Sequence, residues 1–192
     1  MSSTANFPDM MVDLETTGLR PDRTAIIQIA AVKFNLAERT VDASSSGMFD
    51  RCLSMPNHRY WDEGTRAWWS EQKQETFQQI AQRAEDPLVV INDFFDFCTP
   101  VNFHRFWAKP SHFDYPFLAS YFHDAKLPMP FHYRYATCMN SFLAGARPKF
   151  DTMSLPFEGA VHNALFDTLH QIKILFAAMD SDVLPNAVML EG

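Results

Sequence analysis

Cysteine is scarce: Cys52, Cys98 and Cys138 are the only three in 192 residues, widely spaced and without a C-x-x-C pair. An odd number in that spacing excludes a disulfide framework and a cysteine zinc site, and it fits reduced thiols in a cytoplasm. Long hydrophobic runs are missing, since no stretch reaches the ~20 apolar residues that cross a bilayer. Met1 to Met10 has neither a basic region nor an apolar core, so it does not read as a secretory leader. The expectation is a cytoplasmic protein with no membrane attachment. Internal repeats, low-complexity tracts and linkers are absent as well. Positive charge is short, with 16 Lys and Arg against 23 Asp and Glu and a formal charge of −7. Sequence-independent affinity for phosphate normally comes from Lys and Arg, so this balance disfavours a simple nucleic-acid-binding module. It weighs less against an enzyme that reaches phosphate through divalent cations, because such a site requires acids.

What is present is apolar and aromatic. The hydrophobic fraction is 47%, with 18 Phe and 4 Trp, which predicts an unusually aromatic core. The length suits one compact domain over residues 1–192, its core running from about 9 to 180 before a short loose tail.

Asp9 to Glu15 reads as an apolar strand ending in carboxylates, followed by a turn at Thr16-Thr17-Gly18. Ala25 to Phe34 is rich in β-branched residues and predicts a buried second strand, with a third around Gly47 to Leu53. Asp62 to Gln82 has helix-forming density, with Trp68, Trp69, Phe77 and Ile80 expected to point inward. Pro87 opens a helix over Leu88 to Phe97. Val101 to Trp107 alternates as a fourth strand, and His112 to His123 is helical. Tyr133 to Ala136 is expected as a fifth strand, with a short helix from Thr137 to Ala144. A last helix from Asn163 to Met179 spaces Leu165, Leu169, Ile172 and Phe176 on one face.

Asp13-x-Glu15 puts two carboxylates on one face of a strand at its end. Such a pair is costly without a cation or a proton, and a hard divalent metal such as Mg²⁺ suits oxygen-only ligands. His162-x4-Asp167 stands where the last helix begins. A neutral imidazole there can take a proton from water near pH 7. Asp114, at the opening of a helix, also suits the helix macrodipole without any catalytic role.

Taken together, Asp13-Leu14-Glu15-Thr16-Thr17-Gly18, Phe113-Asp114 and His162-x4-Asp167 resemble the DEDD exonuclease superfamily, and the histidine spacing resembles its DEDDh (DnaQ-like, RNase T-like) branch. Thr65-Arg-Ala-Trp-Trp-Ser-Glu-Gln72 is similar to a segment of the subgroup holding phage DexA-type exonucleases and small bacterial 3′–5′ exoribonucleases. The chain departs from the pattern in two places. Ala108-Lys109-Pro110-Ser111 replaces a stretch that usually carries glycine or asparagine, and an arginine-rich segment is reduced to Arg134-Tyr-Ala-Thr137.

The resemblance implies an α/β, RNase H-like fold: a mixed five-stranded sheet flanked by helices. It implies two divalent metal ions, Mg²⁺ with Mn²⁺ able to substitute, on Asp13, Glu15, Asp114 and Asp167, with His162 as general base. The implied reaction removes nucleoside 5′-monophosphates from 3′ ends of single-stranded DNA or RNA. Thr16, Thr17 and Trp69 would hold the substrate, the indole by stacking on a base. Lys109 and Arg105 flank the third acidic motif. Homodimers occur among related small exonucleases, and no residue here fixes an interface. The rival reading is a binding module that keeps the fold and occupies a nucleic-acid end or a protein partner; a complete acidic set argues against it.

Overall fold

The computed structural model describes residues 7–98, 105–146 and 155–180. Its centre is β1 (Asp9–Thr16), which pairs antiparallel with β2 (Ile26–Asn35) on one side. On the other side β1 pairs in parallel with β6 (Arg105–Ala108), and β6 in turn with β7 (Ala136–Cys138). Beyond β2 lies β4 (Met48–Leu53), and the two-residue strands β3 (Thr40–Val41) and β5 (Ala84–Glu85) extend this half. The order is β5-β4-β2-β1-β6-β7, with β3 beside β2.

Helices cover both faces, and strand periodicity decides what meets each. Met10, Val12 and Leu14 of β1 join Phe106 in the cluster packed by α3 (Pro87–Cys98) and α4 (Ser111–Asp124). Val90, Ile91 and Phe94 come from α3; Phe117, Leu118, Tyr121 and Phe122 come from α4. Met11 faces the other way, with Val32, Phe34 and Trp107, against α5 (Met139–Ala146) and α6 (Ala164–Asp180). Each such large side chain contributes about 1.5–3 kcal/mol by leaving water. Asp13 and Glu15 share parity with Met11, so they fall on the α6 side. Asp9 pins the start of β1: its fully buried carboxylate accepts from Arg105 (2.6 and 2.9 Å), Trp107 Nε1 (2.8 Å) and the Leu36 amide (3.1 Å).

The RNase H-like mixed sheet flanked by helices is as expected, but the described sheet has seven strands where five were expected. The two additions are the dipeptides β3 and β5, too short for any periodicity to show. The helix expected over Asp62 to Gln82 is two, α1 (Glu63–Gln72) and α2 (Gln74–Gln82), broken at Lys73 where ψ turns to 33°. Tyr133–Tyr135 forms a 3-10 turn in place of a strand, and pairing begins only at Ala136. Trp68 points outward, 36% exposed, while its neighbour Trp69 is buried. The stretch from Val101 to His104 and the tail beyond Asp180 lie outside the described residues. All three cysteines are free thiols, and no described helix is long and apolar enough to cross a membrane.

Candidate active site

Three of the expected acids converge. Asp13 and Glu15 at the end of β1 and Asp167 in the first turn of α6 each offer a carboxylate oxygen, all within 4.8 Å of one another. The sheet parity that aims β1's acids at α6 is one cause. The other is the anchoring of the α6 N-terminus: the Ala164 amide donates to Gln28 Oε1 at 3.1 Å, and Gln28 is the residue of β2 paired with Glu15. Gln28 is fully buried and also donates to Asp50 at 2.7 Å, so this one amide ties strand, helix and sheet together. Asp114 stands outside the trio. It is buried in the first turn of α4, where it feels the charge of Asp13.

The electrostatics follow from this crowding. Burial and the charge of Asp167 raise the Asp13 carboxyl to about 7, against a lowering hydrogen bond from Gln171. Burial, then the charges of Asp13, Asp167 and Asp114, push Glu15 well above the usual carboxylate range. Asp114 is raised by burial and by Asp13, partly offset by backbone hydrogen bonds at Asp114 and Leu14. Burial raises Asp167 too, against backbone hydrogen bonds from His162 and Asn163 and the charges of Lys109 and Lys73. Asp167 Oδ2 is buried without any hydrogen-bond partner. Clustered, partly buried carboxylates with an orphaned oxygen among them are what a hard divalent cation satisfies. The donor set, all oxygen, fits such an ion.

His162 sits in the approach to α6 with a left-handed backbone, φ 62°. Burial, then the nearby charge of Lys73, lowers its pKa, so the ring is neutral at pH 7 and able to accept a proton. Its ring meets the edge of Trp68 at 4.7 Å between centroids and 82° between planes. Gly159, in the same approach at φ 102°, lies so close to the Phe166 ring that a Cβ there would overlap it.

The turn after β1 is built from inside. Thr17 is fully buried; its hydroxyl donates to the Tyr60 carbonyl at 2.9 Å and accepts the Ala25 amide at 2.7 Å. The Thr17 hydroxyl is thus engaged inside the turn both as donor and as acceptor, which leaves the backbone of Thr16-Thr17 as the part free for the expected contact with substrate. Thr16 Oγ1 is likewise turned inward, to the Gly18 carbonyl at 2.8 Å. A Cβ on Gly18 would come within 2.7 Å of Asp62 and Thr24, so the turn packs too tightly for any other residue. The expectation for Trp69 is corrected. At 2% exposure it belongs to the core with Ile27, Cys52 and Ile80, and its Nε1 donates to the Thr16 carbonyl at 3.3 Å. An indole so placed supports the turn from beneath and has no face left for a base. The exposed indole of this pair is Trp68, which meets the His162 ring.

Several residues here were not anticipated. Gln171 donates to Asp13 from one turn beyond Asp167, and that i, i+4 spacing on one helix face was the available signal. Gln28 was signalled by a lone amide inside an apolar strand. Lys73 had no signal, because its position depends on the break between α1 and α2. Of the two flanking cations, Arg105 is committed to Asp9, whereas the charge of Lys109 reaches Asp13, Asp167 and His170.

Residues 8–179 match the family described as the 3′-5′ exoribonuclease Rv2179c-like domain. No curated protein sequence matches the chain. Solved structures share the fold at low identity. Cell-death related nuclease 4 superposes with a TM-score of 0.63 at 14% identity, over 90% of this chain and 64% of that one. The nuclease domain of 3′hExo, a DEDDh family member bound to rAMP, gives 0.63 at 15%, over 88% and 90%. Exonuclease I of E. coli in complex with a dA16 oligonucleotide gives 0.64 at 16%, over 88% and 42%. The chain thus spans less than two thirds of the first and third of these proteins.

Proposed function

The chain belongs to the 3′–5′ exoribonuclease Rv2179c-like domain family, and on that premise we propose that it is a single-domain, two-metal-ion 3′–5′ exonuclease that removes nucleoside 5′-monophosphates from single-stranded nucleic acid ends. The observation that carries the reading is the convergence of Asp13, Glu15 and Asp167 within 4.8 Å. Asp114, whose charge raises Glu15, is the fourth carboxylate of the proposed ligand set. Mg²⁺ is the natural ion for oxygen ligands, with Mn²⁺ as a substitute. Bound there, divalent ions supply positive charge against the phosphate and acidify the attacking water.

The chain's own residues account for the rest. A free imidazole nitrogen of His162 takes the proton of the attacking water, whose oxygen then joins the terminal phosphorus in line. The bond from phosphorus to the penultimate 3′ oxygen breaks, that oxygen takes up a proton from solvent, and His162 returns its own proton to solvent. The backbone of Thr16-Thr17, held by Trp69 from below, lines the place of the terminal nucleotide. Trp68, exposed beside His162, is positioned to bear on its base. The charge of Lys109 offsets Asp13 and Asp167, and that of Lys73 offsets Asp167.

The test uses 5′-labelled single-stranded RNA and DNA of matched sequence, with Mg²⁺ or with EDTA, for the wild type and His162→Ala. A ladder shortening from the 3′ end, dependent on metal and lost in the variant, is expected. The faster substrate identifies the preferred nucleic acid. No shortening of either strand with any divalent ion would overturn the proposal and favour the binding-module reading.

A further inference from the structure

The segment with the reduced arginine content, Arg134-Tyr-Ala-Thr137, is not used by the proposed site. It lies at the opposite end of the sheet. Strand β7 pairs in parallel with β6, and Phe106 stands opposite both Ala136 and Met10. The 3-10 turn therefore sits at the N-terminal ends of these strands, whereas Asp13 and Glu15 lie three and five residues onward from Met10. The residues of the turn reach the surface. His132, Tyr133, Arg134 and Tyr135 are all exposed, the tyrosines by 65% and 45%.

This turn is held rigidly. Phe131 is buried against Phe106, ring centroids 5.1 Å apart, and its carbonyl accepts the Tyr115 hydroxyl at 2.7 Å. The Tyr135 amide donates to the His132 carbonyl at 2.9 Å, and the Arg134 amide to His132 Nδ1 at 3.3 Å. On this base the His132 and Tyr133 rings stack, 4.5 Å between centroids and 28° between planes. The Arg134 guanidinium lies over the Tyr133 ring at 5.8 Å. No carboxylate pairs with Arg134 among the described residues. A protein of charge −7 thus displays two exposed tyrosines on one short turn, beside a cation that no carboxylate of the described residues neutralises.

Resting on the exonuclease reading above, we propose that His132-Tyr133-Arg134-Tyr135 is a secondary binding platform for the upstream part of the single-stranded substrate. Bases stack on the exposed rings and a phosphate pairs with Arg134. The gap to the acids is about 15–25 Å, from a rise of about 3.3 Å per residue and a strand spacing of about 4.8 Å. At about 3.4 Å per stacked nucleotide the platform engages a strand about four to seven nucleotides behind its 3′ end. Short oligonucleotides cannot reach it.

The experiment compares wild type with Tyr133→Ala and Arg134→Ala on a trinucleotide and a twelve-nucleotide strand. Binding of each strand is also read by fluorescence anisotropy in EDTA, so the platform is measured even without cleavage. The expected result is a fall of about tenfold in the ratio of kcat/KM on the twelve-mer to that on the trimer, carried by KM, with a matching loss of twelve-mer affinity. Tyr133→Phe, which keeps the ring, restores the ratio. An unchanged ratio and unchanged twelve-mer binding in both variants would overturn the platform. So would a shift from dimer to monomer by light scattering without a change in binding, which would assign the turn to contact between copies. A wild type that binds the twelve-mer but cuts nothing would count against the exonuclease reading and leave the platform standing.

Discussion

Gln171 donates from its side-chain amide to Asp13 Oδ1 at 2.8 Å, joining α6 to the end of β1 across the acidic cluster. Its other amide atom, Oε1, is buried with no partner. The hydrogen bond opposes the protonation that burial drives at Asp13, and it holds one carboxylate oxygen while leaving the other for a ligand. Gln171→Met keeps the volume and removes the donor. The expected outcome is Mg²⁺ affinity lower by about 10- to 100-fold, the usual effect of losing a partner behind a metal ligand. Thermal stability in EDTA should change little, since the orphaned Oε1 leaves with the donor. Calorimetric titration with Mg²⁺ checks it, and affinity within twofold of wild type would sink the idea.

The raised carboxyls also set a pH dependence. Asp13 is raised to about 7, and Glu15 and Asp114 are raised well above their ordinary values, near 4 in the unfolded chain. Above about pH 4 and up to about 7, the folded metal-free protein therefore holds more protons than the unfolded one, so its stability falls as pH rises. The melting temperature in EDTA should be higher at pH 5 than at pH 8, and Asp13→Asn should flatten that slope. Mg²⁺ should stabilise most at pH 8, where it meets deprotonated ligands. Scanning fluorimetry of both proteins at the two pH values decides this. A slope the same in both would remove Asp13 as its source.

The sheet and the acidic cluster were legible for a common reason. Period-two parity and β-branched runs depend on neighbours in sequence, and so do the spacings D-x-E and H-x4-D. Where three-dimensional context decided, the reading failed. Trp68 and Trp69 are adjacent and chemically identical, and only the packing of α1 against Ile27, Cys52 and Ile80 determines which is buried. Thr17 carries an ordinary turn signal, but nothing local reveals that its hydroxyl bonds Tyr60 and Ala25. Tyr133 to Ala136 has strand propensity, yet Phe131 anchors the preceding residue so firmly that the chain must turn before it can pair.

The two tryptophans should separate sharply. Trp69→Ala removes a buried indole and its hydrogen bond to Thr16, at a cost of about 3–5 kcal/mol in stability. Trp68→Ala removes a half-exposed ring from the edge of His162 and should cost about 1 kcal/mol or less while raising KM for oligonucleotides. Urea denaturation and steady-state kinetics on both variants read the two effects. Equal destabilisation would mean that Trp68, too, is a core residue.

His162 brings stability and catalysis into conflict. Its left-handed backbone, φ 62°, is a conformation that costs a non-glycine residue about 1–2 kcal/mol, whereas glycine adopts it freely. Both His162→Gly and His162→Ala remove the imidazole, so both should lower kcat by about 10²-fold or more. They should differ in stability, because alanine keeps the strain and glycine releases it. The glycine variant is therefore expected to be more stable than the alanine variant by about 1 kcal/mol, after its larger loss of chain entropy is counted. Denaturant midpoints in EDTA measure that difference free of any metal contribution. An alanine variant as stable as the glycine one would mean that the approach to α6 relaxes once the imidazole is gone. The strain would then be imposed by the contact of His162 with Trp68, and the loop between Gly159 and Asn163 would not be set by its own backbone.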